Sequence, residues 1–193
     1  RMGRSWDAPA GSSILVSLLL RPPQERRPAE LTLVAAVATA VVVERATGLA
    51  AQIKWPNDVM LDRRKVAGGL AELVDGAVVL GIGVNVNQGR DELPSDTKVA
   101  AASLRSVTGR ERDRAPILAH LLLELEDRYE AWRDGGLDAV YEDLGARDFL
   151  RGRRVTVDGV PGLAHMIARD GRLEVETDSE LLHVESGEVL FER

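Results

Sequence analysis

Apolar and polar positions divide the chain into short runs of strand and helix period. Residues 12–20 (SSILVSLLL) are rich in Ile, Val and Leu and end at Arg21-Pro22-Pro23, the pattern of a buried strand. Residues 28–47 read as a helix, with Pro28 at its first position and Gly48 just past its end. That helix is apolar nearly all round, which predicts a core helix. Residues 52–55 lead into Pro56-Asn57-Asp58, a turn signature, and Val59–Leu61 is a brief strand closed by the polar turn Asp62-Arg63-Arg64. Residues 65–74 and 77–87 flank Asp75-Gly76, and Asp-Gly between two apolar runs predicts a hairpin.

Residues 88–98 are polar and read as a loop, Ala100–Leu104 as a short element, and residues 109–114 as a charged connector. Pro116 opens a long amphipathic helix to Arg133, with Ile117, Leu121, Leu122, Leu125, Tyr129 and Trp132 as its apolar stripe. Gly135-Gly136 ends it, and a shorter helix follows near 137–144. From Arg151 onward the rhythm shortens. Segments 154–157, 163–168, 173–176, 181–184 and 189–191 are spaced by Asp158-Gly159, Asp170-Gly171 and Ser186-Gly187, which predicts a small barrel and a domain boundary near residue 148.

The hairpin geometry carries the first functional signal. A two-residue turn at Asp75-Gly76 sets Val74 opposite Ala77, Leu70 opposite Gly81, Gly68 opposite Gly83 and Val66 opposite Asn85. Alternation places the last three pairs on one face. Opposed glycines leave the middle of that face bare, which marks close approach of a ligand or of a packed helix, and the pattern alone leaves both open. Asn85 adds a polar group at one edge, which favours a ligand. Lys65 belongs by parity to the opposite face, unless the turn before it or its long stem brings it round.

Composition narrows the chemistry. The chain has 193 residues with 25 Lys+Arg against 31 Asp+Glu, a formal charge of −6 that argues against a general nucleic-acid coat. The 45% hydrophobic content is that of a globular protein. Zero cysteines exclude disulfides, thiolate metal sites and Cys nucleophiles, and three scattered histidines argue against a His-ligated zinc. No P-loop, nucleophile elbow or His-Glu-x-x-His motif is present. Gly81-Ile82-Gly83 lacks the third glycine of a dinucleotide fingerprint, since Val86 stands there. The longest apolar run, Leu31–Val43, falls short of the about 20 residues a membrane span needs. Residues 1–6 hold no apolar signal region. The expectation is a soluble cytoplasmic protein without a membrane partner.

Lys54-Trp55-Pro56-Asn57-Asp58, followed by Arg64-Lys65-Val66-Ala67-Gly68-Gly69-Leu70-Ala71-Glu72 and then Leu80-Gly81-Ile82-Gly83-Val84-Asn85-Val86, closely resembles the biotin protein ligase family. Gly3-Arg4-Ser5-Trp6 precedes them in the same order. The resemblance covers Arg1 to about Asn87 well and the helical stretch loosely. It implies an α+β fold: a mixed sheet flanked by helices in a class II synthetase-like core (residues 1–148) and a small C-terminal SH3-like barrel (residues 149–193). It implies ATP- and Mg²⁺-dependent activation of biotin to biotinyl-5′-AMP, then transfer to a lysine of a biotin carboxyl carrier domain of a carboxylase.

The implied catalytic residues are Lys65 and Arg1. Biotin would be bound by Arg1, Lys65, Gly68, Leu70, Gly81 and Gly83, and ATP by Arg4, Trp6, Asn57 and Asn85, with no protein-built metal site. Lipoate–protein ligase, or a ligand-binding regulator or pseudoenzyme, are the alternatives. A homodimer is left open. Met2 and Gly69 depart from the family's commoner residues. The family's upstream segments have no counterpart before Arg1. The expectation is a chain truncated at its N-terminus, with activity in question, and with no DNA-binding segment of the kind some members carry.

Overall fold

The computed structural model describes Trp6, residues 8–95 and residues 97–192. Strands β1 (Ser13–Leu20), β2 (Gln52–Lys54), β3 (Asp58–Leu61), β4 (Arg64–Val74) and β5 (Ala77–Asn85) form one sheet in the order β1-β5-β4-β3-β2. Strands β6 (Arg154–Val157), β7 (Val160–Ile167), β8 (Leu173–Glu176), β9 (Leu181–Val184) and β10 (Val189–Phe191) form a second, in the order β10-β6-β7-β8-β9. Helices α1 (Leu31–Thr47), α2 (Leu104–Thr108), α3 (Arg114–Gly135) and α4 (Tyr141–Ala146) complete the α+β architecture.

Two expectations are corrected. The first sheet is not mixed: its described strand pairs are antiparallel, and parallel contacts occur only as isolated bridges, Ile53 to Asp148 and Lys65 to Ala101. Tight turns join β2 to β3, β3 to β4 and β4 to β5, and such turns allow only antiparallel neighbours. The second sheet is open among the described residues, with β9 and β10 at its edges.

Smaller differences have local causes. Asp113 Oδ1 accepts from the Ala115 N–H at 3.0 Å, so the long helix starts before Pro116. Ser103 Oγ accepts from the Ser106 N–H at 2.9 Å, so α2 begins where the short element at 100–104 was expected to end. Leu122 lies at the margin of its stripe and is 38% exposed, while Leu121 and Leu125 are buried. Asp158-Gly159 turns directly, with both residues at positive φ, and β7 therefore starts at Val160.

The core lies between the first sheet and the helices. Ile14, Val84, Ala67, Val59 and Ile53 are buried on one sheet face. Helix α1 lies against β4 there, and a Cβ on Gly69 would meet the Ala35 Cβ at 4.0 Å. The two sheets are tied at β2. The Ile53 N–H donates to the Arg147 carbonyl at 2.7 Å, the Phe149 N–H donates to the Ile53 carbonyl at 2.9 Å, and Trp55 Nε1 donates to the Gly171 carbonyl at 2.9 Å. Asp148 accepts from the Leu150 and Ile167 N–H groups at this junction. Burial nevertheless pushes its carboxyl above the usual range, the backbone donors and Arg151 acting against that shift. Among the described residues, no helix is long and apolar enough to cross a membrane.

Candidate active site

The hairpin register follows the Asp75-Gly76 turn: Val74 opposes Ala77, Leu70 opposes Gly81 and Gly68 opposes Gly83. Because α1 lies on the Gly69 face, the bare glycine face is the other one, and the packed-helix alternative falls away. A row of residues crosses all five strands there: Lys54 beside Asp58, Asp58 beside Gly68, Gly68 beside Gly83, and Gly83 beside Leu15. Leu70, Gly81 and Ser17 form the neighbouring row. The indole of Trp6 lies over this floor, 2.9 Å from where a Gly83 Cβ would stand.

The parity conflict at Lys65 is resolved by a β-bulge. Strand β3 pairs Val59 with Ala67 but Met60 with Lys65, so Val66 is an extra residue on β4. The bulge turns Lys65 onto the face of Asp58 and Gly68. Lys65 Nζ lies 2.5 Å from Asp58 Oδ1 and 5.7 Å from the centre of the Trp6 ring. A Cβ on Gly68 would meet Lys65 Cε and Nζ at 3.0 Å, so glycine is what lets the ammonium lie on the floor. Val66 does not face Asn85: the ladder ends at Ala67 opposite Val84, and Asn85 pairs with Ser13 of β1.

The structure thus gathers Trp6, Lys65, Gly68, Leu70, Gly81 and Gly83 on one surface. Asn57 sits in the turn before β3 and clamps it to the hairpin. Its Nδ2 donates to the Gly69 carbonyl at 2.5 Å, while the Gly69 N–H donates to the Asn57 carbonyl at 3.2 Å. Asn85 is 6% exposed and is used inside the protein. Its Nδ2 donates to the Ala102 carbonyl at 3.0 Å, and its Oδ1 accepts from Gln88 Nε2 at 2.9 Å. Arg1 and Arg4 lie outside the described residues.

Sequence reasoning passed over two members of the row. Lys54 is 6% exposed. Burial holds its ammonium below the usual lysine range and Lys65 adds to this, while Asp58 and Glu188 oppose it. Asp58 read as a turn carboxylate but starts β3 and holds Lys65. Glu188, next to β10, pairs with Lys98 and brings charge of the second sheet to Lys54. The result is a buried cation, Lys54, and a partly exposed one, Lys65, on either side of Asp58, beside a glycine-rich floor under the Trp6 indole. Such a site can hold an anion at the end of a planar, mostly apolar ligand. Among the described residues, no group of three or more His, Asp or Glu could hold a metal ion.

Residues 1–88 match the Biotin/lipoate A/B protein ligase family model. The biotin–[acetyl-CoA-carboxylase] ligase of Mycobacterium tuberculosis is 36% identical over 207 residues, covering 100% of this chain and 74% of that protein. The chain belongs to the biotin protein ligase family. A family member from Bacillus spizizenii, the bifunctional ligase/repressor BirA, is 36% identical over 202 residues and covers 98% of this chain. The chain spans 61% of that relative's length. Among solved structures, the biotin protein ligase of Aquifex aeolicus in complex with biotin and ATP superposes with a TM-score of 0.89 at 27% identity, covering 100% of this chain and 83% of that one.

Proposed function

We propose that the protein activates biotin with ATP and passes it to a lysine of a biotin carboxyl carrier domain in the cytoplasm. The observation that carries this reading is the bulge that swings Lys65 onto the glycine floor beside Asp58. Gly68, Leu70, Gly81 and Gly83 form the bed for the ring system and chain of biotin, its carboxylate directed at Lys65. Family membership and the biotin and ATP bound by the Aquifex aeolicus relative support biotin over lipoate.

In the first step a carboxylate oxygen of biotin bonds to the α-phosphorus of ATP. The bond from that phosphorus to the bridging oxygen breaks, and pyrophosphate leaves. Two anions must meet, and Lys65 would hold both and offset the charge that grows between them. Arg1 and Arg4, outside the described residues, are the residues the resemblance assigns to the adenylate, and Trp6, Asn57 and Lys54 would lie on the nucleotide side. Mg²⁺ takes oxygen ligands and would be held mainly by the phosphates, where it would supply charge to neutralise the leaving group. In the second step the acceptor amine attacks the acyl carbon, AMP leaves with the bonding electrons, and the amine gives up a proton. The mixed anhydride is already activated, so holding the acceptor lysine in line is most of what remains.

Residues 1–148 would form the catalytic unit and residues 149–193 an SH3-like unit. The short antiparallel strands β6–β10 and the edge-on contact of Phe149 with Phe191 at 4.9 Å support that division. The test is exchange of labelled pyrophosphate into ATP, with biotin or lipoate added. Biotin-dependent exchange is expected; exchange with lipoate alone overturns the reading.

A further inference from the structure

We propose that Gln88 is a positioning residue for Lys65, acting through Asn85 and Ala102. The proposal rests on the role of Lys65 given above. Lys65 pairs with Met60 of β3, but the β4–β5 ladder ends at Ala67, so the Lys65 N–H and carbonyl on that side need other partners. They find them in the irregular segment after the long loop. The Lys65 N–H donates to the Ala100 carbonyl, and the Ala102 N–H donates to the Lys65 carbonyl, both at 2.8 Å. The setting of Lys65 therefore depends on where residues 100–102 are held.

Gln88 governs that position. It is 1% exposed, and its Nε2 donates to Asn85 Oδ1 at 2.9 Å and to Ser13 Oγ at 2.6 Å. Asn85 Nδ2 in turn donates to the Ala102 carbonyl at 3.0 Å. The Gln88 backbone adds a second hold, since its carbonyl accepts from Ser103 Oγ at 2.7 Å. The amide orientations are forced. Turning Asn85 over would set its oxygen against the Ala102 carbonyl, and turning Gln88 over would set two side-chain oxygens together. In the orientation that remains, Gln88 Oε1 is buried without a hydrogen-bond partner among the described residues. A buried orphan acceptor costs stability. An apolar side chain would remove that orphan but leave buried Asn85 Oδ1 without the Gln88 donor. What glutamine adds is the donor, and the donor's path runs through Asn85 and Ala102 to Lys65.

The test compares Gln88→Leu, which removes the donor, with Gln88→Glu, which keeps the shape but donates only when protonated. Biotin-dependent exchange, biotin affinity and Tm are measured for each. Gln88→Leu is expected to lower kcat by about ten- to a hundredfold, the scale of a displaced catalytic group. Its KM for biotin should rise by less than kcat falls, because the glycine floor is untouched and only the carboxylate contact with Lys65 is disturbed. The residual kcat of Gln88→Glu should rise as pH falls, a slope that loss of packing would not produce. Acetylation of Lys65 by acetic anhydride, read by peptide mass spectrometry relative to Lys98, gives an arm independent of activity and should rise severalfold in Gln88→Leu. Unchanged kcat overturns the proposal. So does parallel loss of kcat, biotin affinity and Tm without the pH slope. If the wild type shows no biotin-dependent exchange, the functional reading fails, and unchanged Lys65 labelling then overturns the positioning role separately.

Discussion

Lys65 Nζ lies 2.5 Å from Asp58 Oδ1, across a pair of strands that are one residue out of step. The extra residue, Val66, is what brings an ammonium and a carboxylate to the same sheet face. The contact fixes the Lys65 side chain at the end of the glycine floor while leaving it partly exposed to an incoming ligand. It is an orienting contact more than a stabilising one, because a partly exposed ion pair contributes about 1 kcal/mol or less.

Asp58→Asn is therefore expected to change Tm little and the reaction strongly. Biotin-dependent exchange should fall about tenfold or more, as Lys65 loses its fixed position. Exchange kinetics beside a thermal melt check this. Equal losses in stability and rate would mean that the pair serves the fold.

Gly81→Ala separates floor from fold. A Cβ there would meet nothing closer than the Leu70 carbonyl at 3.9 Å and Ser17 Oγ at 4.0 Å. Stability should hold or rise by about 0.4–1 kcal/mol, since the unfolded chain loses freedom. The methyl group stands on the ligand bed, so biotin affinity should drop about tenfold, or about 1.4 kcal/mol. Calorimetric titration and a melt on the same sample read both. Gly83→Ala is a different case, because its Cβ would stand 2.9 Å from the Trp6 ring and the indole must shift.

Asp148 gives a pH dependence of definite sign. Burial raises its carboxyl, so between the unfolded value and the raised folded one the native chain holds more protons than the unfolded chain. Stability from this group is greatest at low pH and is lost as pH rises through that window. The Tm of the wild type relative to Asp148→Asn should thus decline from about pH 4 upward. Melts of both proteins across the acid range check it. A relative Tm that climbs with pH would mean a depressed carboxyl and contradict the burial argument.

Much of this was legible in the chain because local rules wrote it there. Asp75-Gly76 sets the register that opposes Gly68 to Gly83, and Gly48 ends α1 in the left-handed conformation. What local rules could not reach came from pairing between distant strands. No period in residues 64–74 marks Val66 as a bulge, which follows from how β3 meets β4. Lys54 joins the row only through β2 and β3, and Asn85 looked like a ligand group because its partners, Ala102 and Gln88, lie in a loop without pattern. Asp113 and Ser103 are ordinary caps whose signals lay in the sequence beside the stronger ones of Pro116 and Gly109.

Lys65, set on the glycine floor, would perform the activation step. Single-turnover formation of biotinyl-5′-AMP, followed by mass spectrometry in wild type and Lys65→Ala, tests it most directly. Adenylate is expected in the wild type, with a rate at least about a hundredfold lower in the variant, or about 2.7 kcal/mol of lost transition-state stabilisation. Biotin should still bind the variant through the floor. Adenylate forming at the same rate in both proteins would contradict the account.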